Sequence, residues 1–154
     1  MSSTSIDSLA ALAHYCDTFA KQMLSNSGAF YPFGAFINAD DKLEALASST
    51  GTDRPSPREL LELLRAAVGE LAASGRLKAY AIAADVNIPA AYESPFPDGI
   101  RVQIEAPAYS RVIYTPYRVL NFRALRAFLV VLPTVDYAQA IPVEIDADLF
   151  KALA

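Results

Sequence analysis

The sequence predicts an α+β domain in which helices pack on one antiparallel sheet of about five strands. Two stretches carry apolar residues at helical spacing, within residues 5–24 and 57–73. The segments between and after them are short, rich in aromatic and β-branched residues, and bounded by turn residues. The order is therefore helix, hairpin, helix and meander. With 154 residues, we expect residues 1–154 to form a single domain.

Both helices are predicted from their caps and apolar stripes. Thr4 and Asp7 have the spacing of a capping box, and the stripe that follows predicts a helix as far as residue 24. The second helix has the stronger start, Ser56-Pro57-Arg58-Glu59, with a serine cap, a proline at the first helical position and a glutamate three residues after the cap. Ser74 and Gly75 end it.

The strands are predicted from alternation and from the turns between them. Their expected ranges are 30–38, 43–47, 77–88, 100–105 and 111–117. Neither face of the first strand is polar, so we expect it to be buried on both sides. In the third strand, Ala79, Ala81 and Ala83 share one face, and small side chains favour close approach of a helix.

The remaining segments are loops or carry an ambiguous pattern. Residues 48–55 form a polar loop, and the prolines in residues 89–99 exclude regular structure there. After residue 118 we expect a short helix at 123–130 and an extended segment at 141–145. Asp146 is a possible cap for a last helical turn.

Composition and charge argue against several classes of partner. The net charge is −4 and the chain has no basic tract, which argues against nucleic-acid binding. No apolar run approaches the roughly 18 residues that a membrane span needs. The first residues lack the basic stretch of a secretory signal, and a lone Cys16 cannot form an internal disulfide. We therefore expect a cytoplasmic protein with no membrane partner.

No pair of residues in the sequence predicts catalysis. His14 and Cys16 are two residues apart on a helix, so their side chains point in different directions; we expect His14 to be exposed and Cys16 to be buried. Asp85 and Glu105 lie on different strands, and alternation alone does not bring them together. The sequence therefore favours a protein that is not an enzyme.

Cofactor and metal sites are not predicted either. Asp40-Asp41 and the pair Asp146 and Asp148 lack the glycine and glutamate of a calcium loop, and we expect them to serve turns and caps. Glycine-rich phosphate loops are absent from the sequence. We expect no cofactor.

Aromatic residues recur beside prolines, and this pattern gives the candidate surface. The runs are Phe30-Tyr31-Pro32-Phe33, Tyr92 with Pro95-Phe96-Pro97, and Tyr114-Thr115-Pro116-Tyr117. If the runs meet at one end of the sheet, Tyr31, Phe33, Tyr92, Phe96, Tyr114 and Tyr117 form an apolar surface for a partner or ligand. The alternative is that these rings only complete the core.

Three arginines at alternating strand positions provide a possible anion site. Arg101, Arg111 and Arg118 could meet an anionic group in a pocket between the sheet and residues 89–99. The alternative is that they form an ordinary solvated face.

The helix, hairpin, helix and meander order resembles that of profilin-like and roadblock domains. The Phe30-Tyr31-Pro32-Phe33-Gly34 strand, together with 81–86 and 113–118, resembles a group of small bacterial proteins over residues 28–118. This resemblance implies a fold and carries over no activity. The sequence favours a protein-interaction or regulatory module that forms a homodimer or binds another protein. A small-molecule sensor with an anionic ligand is the alternative.

Overall fold

The computed structural model describes residues 5–46, 56–120 and 134–146. Its two helices are α1 (Ile6–Ser27) and α2 (Pro57–Ala73). Its strands are β1 (Phe33–Asn38), β2 (Leu43–Leu46), β3 (Leu77–Asn87), β4 (Asp98–Ala106), β5 (Tyr109–Leu120), β6 (Thr134–Tyr137) and β7 (Ile141–Glu144). A short 3₁₀ turn at Ala90–Tyr92 lies between β3 and β4. The predicted α+β class with an antiparallel sheet is confirmed.

Within the described residues the sheet has seven strands, in the order β2-β1-β3-β4-β5-β6, and β7 also pairs with β5. The prediction of about five strands was therefore too low. The 12-residue strand β5 pairs with β6 through its residues 117–120 and with β7 through residues 111–114. Two four-residue strands thus share one side of β5. The extended segment predicted at 141–145 is confirmed by β7.

The helix ends follow from their caps. Ser5, not Thr4, caps α1, because its side chain accepts a hydrogen bond from the Ser8 amide at 3.1 Å. The helix ends at Ser27, beyond the predicted residue 24, where Gly28 adopts φ 76° and donates its amide to Leu24 at 2.8 Å. Ser56 caps α2 as predicted, accepting from the Glu59 amide at 3.1 Å.

Helix α1 covers one face of the sheet. Its inner stripe, Leu12, Cys16, Ala20 and Leu24, is fully buried. This stripe packs on a cluster that includes the alanines of β3, Ala79, Ala81 and Ala83, which confirms the prediction that a helix covers them. Small side chains on β3 let α1 lie close to the sheet.

Helix α2 covers the opposite face of β1 and β3. Leu64 and Val68 pack there with Phe36, Tyr80 and Ile82. Strand β1 is therefore buried on both sides, as predicted. Gly34 on β1 makes this packing possible, since a Cβ atom there would lie 2.8 Å from the Ala81 carbonyl oxygen and 2.7 Å from Leu46 Cδ1.

Three predictions fall outside the described residues: the loop at 48–55, the helix at 123–130 and the helical turn after Asp146. Within the described ranges, neither helix is long and apolar enough to cross a membrane.

Candidate functional site

A cleft of about 570 Å³ lies where α1 ends, beside the start of α2 and the last part of β3. The described residues that line it are Met23, Ser27, Ala29, Phe30, Tyr31, Pro32, Pro57 and Asp85. Asp85 is the one charged residue among them. Small-molecule sites in proteins have volumes of roughly 300–1,000 Å³ and mostly apolar walls with a few polar groups, so this cleft has the size and lining of such a site.

The segment between α1 and β1 builds one wall of the cleft. The left-handed Gly28 ends the helix and turns the chain, and Phe30 and Pro32 are then buried. Phe30 packs on Phe33 with ring centroids 5.8 Å apart. Tyr31 points outward and keeps 57% of its surface exposed. The wall thus combines fixed apolar residues with one accessible tyrosine.

Asp85 is held at the wall of the cleft by two hydrogen-bond donors. The Tyr117 hydroxyl donates to Asp85 Oδ1 at 2.5 Å, and the backbone amide of Phe30 also donates to the carboxyl group. These bonds connect β3 to β5 and to the segment before β1. They fix the orientation of the carboxyl group.

The surroundings raise the pKa of Asp85 above its ordinary value. Burial is the largest cause, because it disfavours the charged form, and the nearby Asp98 carboxylate acts in the same direction. The hydrogen bonds from Tyr117 and Phe30 oppose this rise only in part. The pKa of Tyr117 is also raised, first by burial and then by its hydrogen bond to Asp85. The cleft is therefore lined by a partly desolvated acidic group whose hydrogen-bond partner is a neutral tyrosine.

The three aromatic-proline runs lie at the same end of the sheet but on two faces. Tyr31, Phe33 and Tyr117 belong to the α1 side. Tyr92 and Tyr114 pack together on the other side, with ring centroids 5.4 Å apart. Tyr114 and Tyr117 are three positions apart in one strand, so alternation sends them to opposite faces. The structure does not bring the six rings into one surface.

Phe96 lies beside Arg118, which alternation along β5 places on the same face as Tyr114. The Arg118 guanidinium lies over its ring, 5.0 Å from the centroid.

The three candidate arginines do not converge. Arg111 pairs with Glu144 at 2.9 Å, and Arg118 pairs with Asp136 at 3.2 Å. Arg101 contacts Gln103 at 3.4 Å on the face opposite Arg111. A pocket of about 350 Å³ does lie against the loop before β4, but Glu93 is the charged residue among its described lining residues. The expected meeting of these arginines in that pocket is therefore not found.

Asp85 and Glu105 lie on opposite faces and do not form a carboxylate pair. Glu105 is fully buried on the α2 side, where it accepts a hydrogen bond from the Tyr80 hydroxyl. His14 is exposed and Cys16 is buried, as predicted. Burial, together with the nearby Asp17, raises the pKa of the Cys16 thiol to about 12. That thiol is therefore not a nucleophile at neutral pH.

Sequence reasoning identified part of the cleft. The run Phe30-Tyr31-Pro32-Phe33 supplies three of the lining residues, Phe30, Tyr31 and Pro32. Met23, Ser27, Ala29 and Pro57 carry no chemical signal, and Asp85 was considered only as a partner for Glu105. No cluster of potential metal ligands occurs in the described part of the chain.

Comparisons with protein-family models, with curated proteins and with solved structures give no match for this chain. The resemblance to profilin-like and roadblock domains and to small bacterial proteins therefore stays a prediction.

Proposed function

We propose that this protein is a small-molecule-binding regulatory domain whose ligand occupies the cleft at Asp85. The observation that carries the proposal is a mostly apolar cleft of about 570 Å³ that is lined by one hydrogen-bonded carboxyl group among its described residues. Pockets that combine apolar walls, a few convergent polar groups and a perturbed pKa are typical of binding sites. Asp85 supplies the polar group, and Phe30 and Pro32 supply fixed apolar walls.

Tyr31 adds a further contact surface for a ligand. Its ring is 57% exposed and lines the cleft. Aromatic side chains contribute large apolar contact areas, and a tyrosine also offers a hydroxyl group. A ligand in the cleft would cover this ring, which makes Tyr31 the residue whose removal tests the site most directly.

Binding fits this cleft better than catalysis does. Asp85 could exchange a proton, since its pKa is raised. However, the raised pKa of Tyr117 keeps its hydroxyl neutral, and the Cys16 thiol is buried between α1 and the sheet. The proposal therefore contains no chemical step, and the ligand acts by stabilising the folded protein.

A fragment library screened by thermal shift and by ¹⁵N NMR tests the proposal. We expect ligands that raise the melting temperature and shift the amide resonances of Ala29, Tyr31 and Asp85. Tyr31→Ala should weaken binding by about tenfold, corresponding to about 1.4 kcal/mol. Tyr92→Ala is the matched control, because Tyr92 is also exposed but lies on the other face. A library without binders, or binders that respond to Tyr92→Ala and not to Tyr31→Ala, would contradict the proposal.

A protein-interaction module that forms a homodimer is the second candidate, and β2 favours it. Among the described strands β2 lies at the end of the sheet and pairs only with β1. Such edge strands can add a strand from a partner. Light scattering at high protein concentration should then show a dimer, and Ala45→Lys on β2 should give a monomer. A wild-type monomer under these conditions would exclude the homodimer.

A further inference from the structure

We propose that the cleft selects a protonated amine carried by an apolar group, with the Asp85 carboxylate as its counter-ion. This inference rests on the proposed function, because it names the chemical class of the ligand in the same cleft. It replaces the anionic ligand that the sequence suggested, since none of the described lining residues is basic.

The hydrogen bonds at Asp85 leave room for a further donor. Tyr117 and the Phe30 amide both donate to the carboxyl group. An ionised carboxylate has about four acceptor positions and no donor. Asp85 is one of the residues that line the cleft, so a ligand there lies next to its carboxyl group. A ligand ammonium group supplies the missing donors and charge, whereas a ligand carboxylate would meet only repulsion.

The charged groups around Asp85 also favour a cation. Asp98 on β4 is close enough to raise the pKa of Asp85, and Tyr117 on β5 and Tyr137 on β6 adjoin this region. On α1, Lys21 lies over the Tyr137 ring but is paired with Asp17 at 3.0 Å. On α2, Arg58 next to the lining residue Pro57 is exposed and pairs with Glu62 at 3.6 Å. Lys21 and Arg58 are thus each paired with a carboxylate, whereas the negative charges of Asp85 and Asp98 add to each other and favour a cationic ligand.

Burial of Asp85 links ligand binding to protonation. The carboxylate is costly in the free cleft, and an ammonium ion placed beside it removes that cost. Amine affinity should therefore rise with pH through the raised pKa of Asp85 and then level off until the amine itself deprotonates. A neutral ligand with the same apolar group should show no such rise.

Three probes with one skeleton and different head groups test the inference: phenethylamine, phenethyl alcohol and hydrocinnamate. In NMR titrations of the wild-type protein, we expect the amine to bind at least about tenfold more tightly than the alcohol, which corresponds to about 1.4 kcal/mol. We expect hydrocinnamate to bind more weakly than either. These measurements need no variant, so the test stands even if a substitution prevents folding.

Asp85→Asn should lower the amine affinity to that of the alcohol and leave the alcohol affinity unchanged. Asparagine keeps the size of the side chain and an oxygen for the Tyr117 hydroxyl, but it carries no charge. Asp40→Asn is the matched control, because it makes the same chemical change at an exposed residue in the β1–β2 turn, remote from the cleft. It should change the amine affinity by less than about twofold, since an exposed distant charge is screened by salt.

The outcomes distinguish a failure of the amine preference from a failure of the proposed small-molecule site. Equal or tighter binding of the alcohol or of hydrocinnamate, with shifts at Tyr31, would overturn the amine preference and leave a small-molecule site in place. If none of the three probes binds, the head groups of the library ligands decide: amines support the inference, and neutral or acidic ligands overturn it. If neither the probes nor the library binds, both proposals fail.

Discussion

Two tyrosine–carboxylate pairs lie on opposite faces of the sheet and differ in their access to solvent. On the α2 side, the Tyr80 hydroxyl donates to Glu105, which is fully buried. On the α1 side, Tyr117 donates to Asp85, which opens onto the cleft. The same two chemical groups thus stabilise the interior in one place and form a candidate ligand anchor in the other. The surrounding elements, rather than the groups, determine this difference.

The register of the sheet explains how the two pairs form. Tyr80 and Glu105 are directly opposite each other on β3 and β4, so their side chains meet as cross-strand neighbours. Asp85 is instead opposite Ile100, and Tyr117 on β5 is opposite Asp98. The Tyr117 side chain therefore reaches across β4 to Asp85. Five positions separate Tyr80 from Asp85 on β3, which places them on opposite faces.

Glu105→Ala should have the largest effect on stability of the changes considered. It removes a buried acceptor from the Tyr80 hydroxyl and leaves a cavity, so the free energy of unfolding should fall by about 2–4 kcal/mol. Urea denaturation monitored by circular dichroism measures the change. Glu70→Ala on the exposed side of α2 is the control and should stay within about 0.5 kcal/mol. An effect of Glu105→Ala as small as that of the control would show that the buried pair is not important for stability.

Matched tyrosine substitutions compare the two pairs directly. Tyr80→Phe removes the donor from a carboxyl group that water does not reach, and we expect a loss of about 1–3 kcal/mol. Tyr117→Phe leaves Asp85 in contact with the open cleft, where water can replace the hydroxyl, so the loss should be about 0.5–1.5 kcal/mol. Both are measured by urea denaturation at neutral pH. A larger loss for Tyr117→Phe than for Tyr80→Phe would reverse the proposed order.

The parts of this fold that the sequence predicts best are those set by local chemistry. The start of α2 depends on Ser56, Pro57 and Glu59, all within one helical turn, and the structure confirms it. The alanine face of β3 follows from alternation alone. Strands β6 and β7 are harder, because four residues carry too little alternation to distinguish a strand from other extended structure. They become strands only because β5 is long enough to pair with both.

The candidate site depends on long-range register, which local patterns do not contain. Asp85 and Tyr117 are 32 residues apart, and their hydrogen bond requires the pairing of β3, β4 and β5 to be known. The end of α1 also matters, because the extra residues up to Ser27 and the turn at Gly28 place Phe30 beside Asp85. The sequence therefore predicted which aromatic residues to inspect, but not that Tyr31 and Tyr117 would separate from Tyr92, Phe96 and Tyr114.

Asp85→Asn should have the smallest effect on stability. The pH dependence of that effect nevertheless tests most closely how the Tyr117–Asp85 pair at the cleft differs from the buried Tyr80–Glu105 pair. Burial raises the pKa of Asp85, so the folded protein holds this proton at pH values where the unfolded chain has released it. The contribution of Asp85 to the free energy of unfolding should therefore fall as pH rises from the ordinary aspartate pKa of about 3.9 through the raised value. Asparagine has no proton to lose. The variant should lack this fall and be more stable than the wild type at neutral pH by less than about 1 kcal/mol.

Urea denaturation at a series of pH values measures this difference, with Asp40→Asn as the control for the loss of one negative charge. In the control, the contribution of Asp85 between the two pKa values should remain, because Asp85 is intact. If Asp85→Asn instead followed the wild-type curve throughout, ionisation of Asp85 would cost nothing in the folded state. The carboxyl group at the cleft would then need no counter-ion, and the physical reason for it to attract a cationic ligand would disappear.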